Sequence, residues 1–143
     1  MKLYMDTAYI AKCYVNEPGC EGVRSLAMEA VERVCSAWCL MEMACVFQRH
    51  VREGALTRVE ASKLRKLFLD DVQDGNWRIL PLSERLLRRA EAEISRLPAK
   101  TFLRAADALH LTAAQGAGFT EIWTNDRHLL AAAPHFGLTG RSV

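Results

Sequence analysis

No apolar run in this sequence approaches the ~20 residues a membrane-spanning helix requires, which predicts a chain that stays out of the bilayer. The apolar start, MKLYMDTAYIAKCY, is broken by Asp6 and Lys12 before the hydrophobic segment of a secretory signal can form. Five cysteines (Cys13, Cys20, Cys35, Cys39 and Cys45) contain no C-x-x-C pair, and no histidine stands at zinc-finger spacing from Cys35 and Cys39. They read as reduced, mostly buried small hydrophobes of a cytoplasmic protein. Internal repeats, low-complexity tracts and Pro/Gly/Ser linkers are absent as well, which excludes solenoids and obvious multidomain chains. Neither sign of charge dominates: 19 Lys+Arg stand against 17 Asp+Glu, a net +2 that does not by itself call for nucleic acid. Fourteen of the 19 are arginine, the better planar fork for phosphate, and this is a slight pointer.

What is present is the composition of one globular domain over residues 1–143, 50% hydrophobic and 25% charged. At this length a core can bury roughly 70% of the unfolded chain's surface, so folding needs no metal or disulfide staple. Short apolar runs alternate with helical patterns. Strands are expected at 2–5 (KLYM), 33–38 (RVCSAW), 77–82 (WRILPL) and 121–124 (EIWT), with an edge strand in the tail FGLTGRSV. Helices are expected at 7–16, about 20–31, 39–53, 57–70 with Thr57 as N-cap, 83–97 from Ser83, 102–115, and from Asn125 or Asp126. Strands separated by helices predict an α/β fold, three layers α/β/α around a central parallel sheet of four to five strands. Trp38, Trp77 and Trp123 fall in the expected strands and read as core.

Four of the 17 acids keep unusual company. Glu42 is the one charge in SAWCLMEMACVF, Asp107 lies in FLRAADALHLTAA, Asp6 follows LYM and Asp126 follows IWTN. A carboxylate in apolar surroundings must be paired, hydrogen-bonded or metal-bound, or it takes up a proton. Each has a plain structural explanation. Asp6 and Asp126 stand where a strand gives way to a helix and suit an N-cap; Asp107 can pair with Arg104, and Glu42 with another arginine. Topology adds a second reading. In a parallel α/β sheet, ligands gather outside the carboxyl ends of the strands, and Asp6, Asp126 and Glu42 (in the first turn after RVCSAW) belong at that edge. Asp107 reaches the rim through its helix. Four like charges raise one another's pKa unless cations join them, and hard oxygen donors select Mg²⁺ or Mn²⁺. One or two such ions polarise a phosphoryl oxygen and activate water for in-line displacement.

MDTAY, CSAWCLMEMACVFQR, RAADALHLTAA and WTNDRHL together resemble the PIN-domain nucleases, and in size the VapC toxins of bacterial toxin–antitoxin pairs. The resemblance spans nearly the whole chain and places the family's four acids on Asp6, Glu42, Asp107 and Asp126. It implies Mg²⁺- or Mn²⁺-dependent cleavage of RNA, a homodimer and inhibition by a cognate antitoxin. It also implies that Thr7 and Thr124 line the site. Where the family often carries a second small hydroxyl residue, this chain has Ala8.

Other features are more ambiguous. Arg49 lies two helical turns after Glu42 and suits either a substrate phosphate or a salt bridge with Glu42. Arg85, Arg88 and Arg89 fit an RNA track or a solvated helix face, and Asp70, Asp71 and Asp74 a polar helix end. The histidines His50, His110, His128 and His135 have no mutual metal spacing, and neither His110 nor His128 is given a catalytic role. Two rival functions remain open: a Mg²⁺-binding receiver-like regulatory domain, and a PIN-like fold that binds a partner without catalysis.

Overall fold

The computed structural model describes residues 1–143. Five short strands are all parallel: β1 (Lys2–Tyr4), β2 (Glu32–Ser36), β3 (Arg78–Leu80), β4 (Glu121–Trp123) and β5 (Thr139–Arg141). Between them run α1 (Thr7–Tyr14), α2 (Cys20–Glu29), α3 (Trp38–Arg52), α4 (Arg58–Gln73), α5 (Glu84–Ser95), α6 (Ala105–Gly116) and α7 (Arg127–Ala132). A 3-10 turn over Ala133–Phe136 leads into β5. β1, β2 and β3 form one ladder and β4 and β5 another, joined by the bridge between Met5 and Trp123. The Asp6 N–H donates to Trp123 O at 3.2 Å beside that bridge. The order across both ladders is therefore β3-β2-β1-β4-β5, and the chain reverses its direction of winding between β1 and β4.

Side-chain alternation along the strands builds the layers. Leu3, Met5 and Cys35 face one cluster, with Tyr9, Ile10, Val23, Met43, Phe47, Phe68 and Trp77 from the first four helices and the approach to β3. Tyr4, Val34 and Ile122 face the other, with Leu111, Ala114, Leu129 and Phe136. Helices thus cover both faces of the sheet, the expected three-layer α/β/α arrangement. α6 is the most enclosed helix: every residue from Asp107 to Ala114 is buried, which explains its nearly continuous apolar sequence.

Several boundaries move, and those that bear on the site are these. RVCSAW is a strand only through Ser36, where the Ser36 Oγ accepts the Trp38 N–H at 3.2 Å and the chain turns into α3. Trp38 is consequently the first residue of a helix, not part of a strand, and Trp77 precedes β3. Trp77 is nonetheless core, 4% exposed, and its Nε1–H donates to Tyr14 Oη at 2.7 Å. α6 begins at Ala105 rather than 102, leaving Phe102 exposed. The helix starts at Thr57 and Ser83 are as expected. Thr57 Oγ1 accepts from the Glu60 N–H, and the Glu60 carboxylate accepts from the Thr57 N–H, a reciprocal cap.

Candidate active site

In open parallel sheets the crevice at the strands' carboxyl ends, where winding reverses, is the natural ligand site. Here that crevice lies between β1 and β4, and Asp6 and Asp126 follow these two strands. Asp6 is the N-cap of α1: its Oδ1 accepts the Tyr9 N–H at 2.9 Å, and its Oδ2 accepts the Thr124 hydroxyl at 2.5 Å. Asp126 is the N-cap of α7, its Oδ1 accepting the His128 and Leu129 N–H groups at 2.7 and 3.1 Å. Both are therefore structural caps, and both also line the cleft, so the two readings of these residues are compatible.

Glu42 stands in the second turn of α3, not the first, because the helix starts at Trp38. Its Oε1 accepts from the Thr7 hydroxyl at 2.7 Å and lies 2.6 Å from His110 Nε2. Asp107 lies in the first turn of α6, where the helix dipole favours a negative charge. Its Oδ2 accepts from Arg104 Nε at 3.0 Å, and the same guanidinium reaches Asp126 Oδ2 at 2.9 Å. All four acids line a single cleft of ≈ 950 Å³, with Arg49, Arg52 and Arg104 along its wall.

The environment sets the carboxyls apart. Burial pushes Asp6 up to about 6, against the pull of the Thr124 hydroxyl and the Tyr9 N–H. For Glu42, burial is the largest single influence and acts upward. His110, through its hydrogen bond and, when its ring is protonated, its charge, acts together with the Thr7 hydrogen bond and the charge of Arg104 to outweigh it and hold the group below its ordinary value. Arg104 is raised, chiefly by its hydrogen bond to Asp107.

Thr7 sits on the cleft wall beside Glu42, whereas Thr124 is fully buried behind Asp6, where it also accepts the Asp126 N–H at 2.9 Å. Ala8 faces the cleft. Arg49 does not pair with Glu42; its carboxylate partner is Glu17, at 3.7 Å. Arg85, Arg88 and Arg89 belong to α5, away from the acid cleft, with Arg88 paired to Glu84 one turn back. Asp71 anchors Tyr14 at 2.6 Å and Asp70 pairs with Lys66, so that acid cluster is a helix end. Two residues gain importance over their sequence reading. Arg104 bridges two of the acids instead of pairing with one. His110, left without a role, is 2% exposed and bonded to Glu42; its i+3 spacing from Asp107 was the available signal.

The donor set is chemically suited to a hard divalent cation, since all four acids offer carboxylate oxygen and Glu42 Oε2 and Asp107 Oδ1 stand outside the hydrogen bonds just described. No three His, Cys, Asp or Glu side chains close on a common point, and the Arg104 guanidinium spans the space between Asp107 and Asp126.

A parallel α/β/α protein with four carboxylates gathered where its sheet reverses is the class that fold and cleft define. Residues 3–134 match the PIN domain family, and the chain belongs to it. That membership removes the receiver-like reading. The fold is shared with a chain of the VapBC2 complex of Rickettsia felis, solved bound to a DNA fragment from their promoter. The TM-score is 0.69 at 14% identity, over 99% of this chain and 98% of that one. It is shared equally with Mycobacterium tuberculosis VapC20, described as a sarcin-ricin loop cleaving toxin, at TM-score 0.69 and 17% identity over 91% and 94% of the two chains. No curated protein matches the sequence at a significant level. No helix is long and apolar enough to cross a membrane.

Proposed function

We propose that this chain is a Mg²⁺- or Mn²⁺-dependent endoribonuclease of the cytoplasm, the toxin of a toxin–antitoxin pair. The observation that carries the proposal is the convergence of Asp6, Glu42, Asp107 and Asp126, from four separate elements, on one arginine-walled cleft. Kinship in fold with a toxin described as cleaving the sarcin-ricin loop and with a chain of a VapBC2 complex supports the same reading, and with it a cognate antitoxin; the homodimer rests on the family resemblance alone.

In this reading the four carboxylates hold the cation, Asp6 and Asp107 foremost. A bound divalent cation supplies polarisation of the phosphoryl oxygen and activation of water for hydrolysis of the phosphodiester bond. Thr124 and Thr7 orient Asp6 and Glu42, and Arg49 and Arg52 offer guanidinium forks to the phosphates of the RNA. The test is cleavage of total RNA by purified protein with Mg²⁺, with Mn²⁺ and with EDTA. Discrete fragments that depend on metal are expected; no cleavage by protein shown to bind the cation would turn the assignment toward a silent, partner-binding fold.

Arg104 competes with the cation for Asp107 and Asp126 in this scheme. Its side chain is 60% exposed, so solvent screening keeps its ion pairs to about 0–1 kcal/mol of stability. Arg104→Gln is therefore expected to leave metal-free melting nearly unchanged while tightening Mn²⁺ binding several-fold in a calorimetric titration. Weaker binding in the variant would show that Arg104 helps to assemble the site rather than occupy it.

A further inference from the structure

We propose that Tyr4 and His110 form a buried relay that fixes one imidazole tautomer and thereby aims Glu42, making His110 a positioning residue. This deepens the reading of Glu42 as a cation ligand and rests on it. The relay runs over the carboxyl edge of the sheet. Tyr4 on β1 and α6 belong to one layer contact, while Glu42 comes from α3, which packs on the opposite face.

Hydrogen-bond accounting assigns the protons. The Tyr4 hydroxyl is fully buried, and its oxygen accepts the Ser36 N–H at 3.2 Å. Its own proton needs an acceptor, and His110 Nδ1 lies 3.0 Å away. Nδ1 therefore carries the lone pair, and a neutral ring must then bear its proton on Nε2. That nitrogen is the one facing Glu42 Oε1 at 2.6 Å, with Thr7 Oγ1 at 3.3 Å. An ionised carboxylate can only accept, so the far end of the relay demands the same tautomer as the near end. Were both ring nitrogens protonated, the Tyr4 oxygen would face two donors and its own buried proton would lose its partner, which is costly. With His110 and Thr7 both donating to Oε1, Glu42 is held in one rotamer and its Oε2 is left for the cleft.

The consequence is a dependence on where the donor sits on residue 110. In His110→Gln the terminal amide occupies the place of Nε2 and can still donate to Glu42. In His110→Asn the amide matches Nδ1 and reaches only toward Tyr4, and His110→Leu supplies neither. Side-chain ¹⁵N spectra of the metal-free wild type are expected to show the neutral Nε2–H tautomer. Mn²⁺ affinity, measured by calorimetry on variants whose melting shows them folded, is expected to fall about 10-fold or more in His110→Asn and His110→Leu and to stay near wild type in His110→Gln. Equal affinities for the Gln and Asn variants, or an Nδ1–H tautomer in the wild type, would overturn the relay. A wild type that binds no Mn²⁺ would instead sink the metal reading, and the tautomer measurement would still decide the relay.

Discussion

Asp6→Asn is expected to separate activity from stability, eliminating RNA cleavage while making the metal-free protein more resistant to heat at neutral pH. Asp6 is 4% exposed, and burial raises its carboxyl from 3.8 to about 6. The native state thus holds this proton more tightly than the unfolded chain does. The stabilisation that results is fully present below about pH 4 and is lost as the pH rises through about 6. At pH 7 an ionised Asp6 costs the fold about 3 kcal/mol by this linkage. The amide cannot ionise. It keeps the acceptor for the Tyr9 N–H but meets the Thr124 hydroxyl with the wrong atom on the other side. Allowing for that hydrogen bond, a net gain of about 1–2 kcal/mol remains, or roughly 3–8 °C in a thermal melt. Melting in EDTA at pH 7 and again at pH 4 checks the sign, because the gain should vanish at the lower pH. An Asp6→Asn variant that melts lower than wild type at pH 7, or that cleaves RNA at the wild-type rate, would refute the role given to this carboxylate.

Addition of Mg²⁺ or Mn²⁺ is expected to reverse that order. In the proposed site the cation neutralises Asp6 together with its three neighbours, so the burial of charge that weakens the metal-free protein becomes the source of its affinity. A ligand bound to the native state alone, at ~100-fold excess over Kd, adds ~2.7 kcal/mol. That exceeds the expected gain from Asp6→Asn, so metal-loaded wild type should melt above the variant. Asp107→Asn should lose most of the metal-induced rise, having given up one carboxylate and with it part of the attraction. A wild-type melting curve unchanged up to tens of millimolar of either ion would show that these carboxylates do not form the cation site.

The same residues show how far the sequence reaches. Asp6 and Asp126 were legible because each stands just past a short apolar strand, where a carboxylate can be a cap, a ligand or both. Glu42 and Asp107 were legible by contrast with apolar neighbours, since an ionised group in such surroundings demands partners. The partners were another matter. Arg104 was expected beside Asp107 from their i,i+3 spacing, but its second bond, to Asp126, spans 22 residues and depends on α6 and β4 lying side by side. The His110 bond to Glu42 spans 68 residues, and no local pattern encodes it. Arg49 shows the reverse failure: helical periodicity put it near Glu42, while the loop carrying Glu17 provides its actual partner.

Periodicity, caps and glycine stops by themselves determined the alternating strands and helices, because these depend on local backbone preference and on which face of an element is apolar. They likewise determined which acids are out of place. Only the tertiary structure decided the strand order β3-β2-β1-β4-β5, since a parallel strand pairs through residues distant in the chain and either edge of β1 could have received β4. That choice puts Asp6 next to Thr124 and Asp126, sets α6 across from α3, and so places Tyr4, His110 and Glu42 within one run of hydrogen bonds. Directional bonds about 3 Å long cannot be inferred from spacing along a chain; they exist only once packing has brought their ends together.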